Sequence, residues 1–142
     1  MAQAALKYDY EDFEEPADGD MSVVSHHSEE RHIDLVHLAR QTLGDVNLER
    51  EVLSLFVVQS QVYLLRLQAA DTPAEWKRAA HTIKGSARGI GAWPLAEAAE
   101  AAEAIKGDNV LDVAHRDAAN LLLQRVCAAN ACIRQYFDEQ AD

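Results

Sequence analysis

Between Thr72 and Gly91 the chain spells out one helix with both ends marked, and few architectures other than a helical bundle accommodate it. Thr72 stands at the N-cap, Pro73 at the first helical position and Glu75 three residues after the cap, the strongest local start signal available. At 100° per residue Trp76, Ala79, Ala80, Ile83, Ala87 and Ile90 gather on one side, and Gly89 or Gly91 ends the run. The same punctuation recurs on either side. A short helix is predicted from about Asp34 to Leu43, stopped by Gly44, and Asp45 or Asn47 caps a long one reaching about Ala70. Pro94 opens a fourth, with Leu95, Ala98, Ala99, Ala102 and Ile105 inward and Glu97, Glu100 and Glu103 outward. Gly107 stops that helix and Asp108 or Asn109 caps the last one. It runs to about Phe137 with Ala118, Leu121, Leu122, Ala129, Cys132, Ile133 and Tyr136 inward. Short connections between amphipathic helices predict an all-α fold, an antiparallel up-down four-helix bundle with a short extra N-terminal helix.

At 142 residues the chain holds one domain with a real core, expected over 32–142. Residues 1–31 have no apolar period. Acidic residues crowd around Pro16 and Gly19, as in a disordered tail unable to bury enough surface to order itself. Aromatic residues make up only 6% of the chain, which disfavours sheets. A net charge of −11 argues against nucleic acid or an anionic membrane as partner. No stretch is apolar enough to span a bilayer and the acidic N-terminus is unlike a signal peptide, so a cytoplasmic location is expected. Cys127 and Cys132 fit neither a metal pattern nor helical disulfide geometry, and reduced, mostly buried thiols are expected. His26, His27 and His32 lack the spacing of metal ligands, so no metal site is assigned.

Two surfaces carry possible function. On the second helix Val52, Leu53, Phe56, Tyr63 and Leu67 form a core stripe, while Leu55, Val58, Val62 and Leu65 form another on a different face. Coverage by the first or last helix is the simpler expectation for this second stripe. The alternatives are a docking patch for a partner or a contact between two copies, although a monomer is expected. On the third helix His81 falls about 160° from the Ile83 side, sharing its half-turn with Lys77, Lys84, Gly85 and Arg88. Gly85 lowers helix stability by about 1 kcal/mol relative to alanine, which suggests that something must approach closely there.

No carboxylate lies within helical reach of His81 on its own helix, so it is no triad base. Cations nearby disfavour further positive charge on the ring, and a neutral imidazole has a lone pair with which to attack an electrophile. The product best suited to Lys77, Lys84 and Arg88 is an anion such as a phosphoryl group, with Ser86 adding a small hydroxyl. The chain has no phosphate-binding glycine loop, kinase signature or magnesium-binding carboxylates near the histidine. The electrophile must therefore come from another protein.

The segment HTIKGSARGIGA, with His81, Lys84, Gly85, Ser86 and Gly91 in register, resembles the H-x-x-K-G-S motif of histidine-containing phosphotransfer (HPt) domains. The likeness covers roughly Ile33 to Tyr136, with Leu48 to Phe56 similar to the family's second helix; the alanine-rich helix after Pro94 departs from bulkier family members. The resemblance implies a phosphorelay intermediate. His81 would take a phosphoryl group on its distal nitrogen from a receiver-domain aspartate and pass it to the aspartate of another response regulator. Lys84 would stabilise the phosphohistidine, and Gly85 would make room for the receiver loop. Docking is expected at Gly85, Ser86, Arg88 and Lys77, with Leu55, Val58, Val62 and Leu65 as a further patch. The implied partners are receiver domains and a hybrid histidine kinase. The chain itself would bind no cofactor, Mg2+ being supplied in the partner's receiver site. It would be a phosphocarrier, not an enzyme with kinase activity of its own.

Two rivals differ in chemistry. The phosphoacceptor part of a histidine kinase would need a carboxylate directly after the histidine, where Thr82 stands, and an ATP-binding domain for which no residues remain. A pure interaction bundle would bind and modulate a receiver or kinase without accepting phosphate.

Overall fold

Asp34 begins the ordered architecture by accepting a hydrogen bond from the His37 backbone N–H with its carboxylate, capping helix α1 (Leu35–Gln41). The computed structural model describes residues 32–141, so the acidic stretch at 1–31 lies outside it. Four further helices follow, α2 (Val46–Gln68), α3 (Pro73–Ile90), α4 (Trp93–Glu103) and α5 (Val113–Ala141). Among the described residues there is no strand.

The start signals act as their chemistry predicts. Asp45 caps α2 by accepting from the Leu48 N–H, and Thr72 caps α3 by accepting from the Glu75 N–H. The Glu75 carboxylate reaches back one residue further than in a standard capping box, to the N–H of Asp71. Gly91 ends α3 in the left-handed conformation, with φ of 75°. A Cβ there would lie 2.7 Å from the Cβ of Asp34, so the glycine serves both the turn and the contact with α1. The Asp34 N–H donates to the Gly91 carbonyl and its carboxylate accepts from the Trp93 indole, stitching the start of α1 to the α3–α4 turn.

Later boundaries differ from the sequence expectation. Helix α4 ends at Glu103, before Gly107, and α5 is capped by Asp112, not Asp108 or Asn109. Asn109 instead closes a local turn by accepting from the Leu111 N–H. Helix α5 continues past Phe137 to Ala141.

Helix α3 packs on both α2 and α4, α5 closes on α4 and α2, and α1 rests on α3. The shared core contains Leu53, Phe56, Leu67, Trp76, Ile83, Ile90, Leu95, Leu122, Val126 and Ile133. All six residues assigned to the inner side of α3 are buried, as are Leu95, Ala98, Ala99 and Ala102 of α4. Ile105 is half-buried. In α5 the predicted line is only partly inside: Leu121 is exposed, and His115 at the helix start is buried instead. Cys127 is exposed and Cys132 half-buried, neither in a disulfide, which corrects the expectation of burial for Cys127. No helix among the described residues is long and apolar enough to cross a membrane.

Candidate functional site

Helix α3 presents His81 outward because Ala79, Ala80 and Ile83 around it fix the opposite face in the core. The histidine side chain is 68% exposed, while Lys84, one turn on, is only 14% exposed. The difference comes from α4. Glu103, the last residue of that helix, places Oε1 3.0 Å from His81 Nδ1 and Oε2 2.7 Å from Lys84 Nζ. Arg88 pairs with Glu100 of the same helix, at 3.6 Å.

Two expectations are corrected here. The His81 face is not free of carboxylates, and Glu103 does not simply point outward; it is half-buried between the histidine and the lysine. The cations at Lys84 and Arg88 are partly neutralised by acids from the neighbouring helix. A signal existed in the sequence: the short turn at Gly91 brings α4 back beside α3, so the acids Glu100 and Glu103 were candidates to meet the cations of the His81 helix. Helical reach along α3 alone could not show it.

The pairing has a chemical consequence. Burial raises the pKa of Glu103, but the hydrogen bonds and charges of Lys84 and His81 outweigh this and hold it below its ordinary value of 4.5. An ionised carboxylate only accepts, so Nδ1 of His81 must donate. A ring whose proton sits on Nδ1 carries its lone pair on Nε2, the distal nitrogen. Whenever the ring is neutral, the contact thus favours the tautomer with Nε2 free, on a displayed imidazole with an ammonium held beside it.

Trp76 positions this arrangement. Its indole N–H donates 2.8 Å to the carbonyl of Ala102 in the last turn of α4, which also accepts from the Ile105 N–H. That bond fixes the residue immediately before Glu103. The indole also meets the ring of His115 edge-on, with centroids 4.7 Å apart. His115 in turn contacts the α5 cap, its Nδ1 lying 2.6 Å from Asp112 Oδ1.

The remaining predicted residues fall into two groups. Gly85 is exposed, with nothing within 4 Å of an added Cβ, and Ser86 is half-buried. Lys77 is exposed one turn before His81. These share the His81 helix. Leu55, Val58, Val62 and Leu65 do not join them. They occupy the outer side of α2, roughly opposite its buried Leu53, Phe56, Ser60 and Leu64, and they stay exposed. Neither α1 nor α5 covers them. Among the described residues no cluster of three His, Cys, Asp or Glu could hold a metal ion.

Among known families, the Hpt domain model matches residues 51–129. That span includes most of α2, all of α3 and α4, and more than half of α5. Searches of curated proteins and of solved structures found no match. With His81 displayed in the HxxKGS setting of an all-helical fold and the family model matched over more than half of its length, the chain belongs to the histidine-containing phosphotransfer family, whose members take part in phosphorelay signalling.

Proposed function

We propose that this chain is a phosphorelay intermediate whose phosphoacceptor is His81. Nε2 attacks the phosphorus of a receiver's aspartyl phosphate: the N–P bond forms, the acyl P–O bond breaks and the aspartate leaves as carboxylate. Reversal of the same step on a second receiver returns the chain to its starting state. The observation that carries this reading is the exposed His81 ring held at Nδ1 by Glu103, an arrangement in which the neutral ring keeps its proton on Nδ1 and turns Nε2 outward as the nucleophile. Lys84 supplies the cation beside the developing anion, and Gly85 leaves the adjacent helix surface bare for the receiver loop.

In this reading the partners are receiver domains, one of them belonging to a hybrid histidine kinase. Mg2+ is supplied in the receiver's site. The chain is a cytoplasmic phosphocarrier without kinase activity of its own. Helices α2 to α5 form an antiparallel up-down bundle over 32–142, with α1 as the extra N-terminal helix. Lys77, Ser86 and Arg88 border the docking face on α3.

Phosphorylating a receiver with labelled phosphate and mixing it with this chain tests the assignment. Wild type acquires acid-labile, alkali-stable label. His81→Gln retains the helical circular dichroism spectrum and acquires none, whereas labelling of that variant at the wild-type level would remove His81 from the role.

A further inference from the structure

The outer side of α2 repeats with a period that an ordinary surface helix has no reason to keep. Leu48, Leu55 and Val62 recur at every seventh residue; Glu51, Val58 and Leu65 repeat the same interval three places later. This is the a/d spacing of a two-helix seam. Leu55, Val58, Val62 and Leu65 are 41–65% exposed, so none of the described residues covers the seam. The positions beside it are mostly uncharged: Ser54, Gln59, Gln61 and Gln68 flank it in a chain of net charge −11. A shallow concavity lined by Arg50, Glu51, Ser54, Leu55 and Val58 opens on the same side.

We propose that this seam pairs antiparallel with the α2 seam of a second copy of the chain, forming a two-fold symmetric dimer. Charge placement selects the occupant and its direction. A parallel pair would set Glu51 against Glu51 of the second copy inside the seam, where like charges repel. An antiparallel two-fold between Leu55 and Val58 sets Leu55 on Val58 of the second copy and Leu65 on its Leu48. It also sets Glu51 on Val62 of the second copy, one turn from that copy's Arg66. Each acid thus gains a cation at the edge of the contact. The neutral flanks let two copies of a strongly acidic chain approach without opposing rows of like charge.

The seam from Leu48 to Leu65 spans about 26 Å of helix. Two such strips give an interface near the low end of the ~1,200–2,000 Å² typical of specific complexes. An interface of that size suits a reversible contact, so association is sought across a wide concentration range. The second copy leaves His81 uncovered, because that residue lies on α3 and is held toward α4.

Sedimentation equilibrium of the full chain over micromolar to millimolar concentration tests this, starting from a monomer mass of 15.7 kDa. The wild type moves to twice that mass as concentration rises. Val58→Glu, at an exposed position, keeps its helical spectrum and stays monomeric. Glu51→Arg and Arg66→Glu each weaken the dimer by about tenfold, and the double charge exchange restores it. A wild type that is monomeric throughout overturns the proposal, as does dimerisation of Val58→Glu at wild-type affinity. Failure of the double exchange to rescue overturns the antiparallel register. A monomeric wild type whose receiver binding is lost in Val58→Glu assigns the seam to the receiver instead.

Discussion

Glu103 is the residue on which the proposed role of His81 can be tested most directly, because its carboxylate contacts Nδ1 of the ring. Without it, either ring nitrogen can hold the proton, and the fraction with a free distal nitrogen falls. Glu103→Gln keeps an acceptor for Nδ1 but loses the charge, whereas Glu103→Ala loses both. Phosphoryl acceptance from a labelled receiver, followed by rapid quench, is expected to slow by about tenfold in Glu103→Ala and less in Glu103→Gln. The pH dependence has a definite sign. Because the folded-state pKa of Glu103 lies below 4.5, its pairing is fully present above that value and is lost as pH falls through the lower folded value. Equal rates for all three proteins would reduce Glu103 to a bystander. Gly85 sits close by and is shaped by different pressure. An added Cβ meets nothing within 4 Å and the residue is helical, so packing gives no reason for glycine there. Gly85→Ala is expected to raise stability by about 0.5–1 kcal/mol in urea unfolding, the helix-propensity difference alone. Its persistence as glycine fits a surface that another molecule must approach.

At the scale of elements, glycine has the opposite meaning at the α3–α4 turn. Gly91→Ala must either abandon φ of 75° or press its Cβ onto Asp34, whose atoms stand 2.7–3.2 Å away, two of them backbone. Thermal unfolding should show a loss of at least 1 kcal/mol, and an unchanged midpoint would mean that α1 moves aside without penalty. The helices most legible in the sequence were those whose signals are local. Thr72, Pro73 and the Trp76–Ile90 stripe define α3 without reference to anything else, and its inner side is occupied as expected. Signals that depend on a neighbouring element were not legible. Asp112 outcompetes Asp108 and Asn109 as the α5 cap because it also meets His115, which is buried against Trp76. That contact exists only once α3 and α5 are side by side. Glu103 escaped for the same reason: its partners lie across a turn, and spacing along one helix does not register them. The second stripe on α2 was visible as a pattern, yet its exposure depends on where α1 and α5 come to rest.

For the whole molecule, the proposed phosphoacceptor and the apolar seam sit on different helices, His81 on α3 beside α4 and the seam on the outer side of α2. Receiver docking on the first should therefore respond to bulk at Gly85 without a response in the fold. Gly85→Glu is expected to keep the unfolding midpoint of a helical surface substitution while weakening receiver binding by at least tenfold, measured by titration calorimetry. Unchanged affinity would place the receiver elsewhere.

The two tryptophans occupy the two stitches of this architecture. Trp76 donates to the carbonyl that ends α4 beside the histidine, and Trp93 donates to the aspartate that ties α1 to the turn. With just these two indoles in the chain, the protein carries its own optical labels. One reads the end of α4 beside His81 and the other reads the latch that closes the turn, and neither requires a dye.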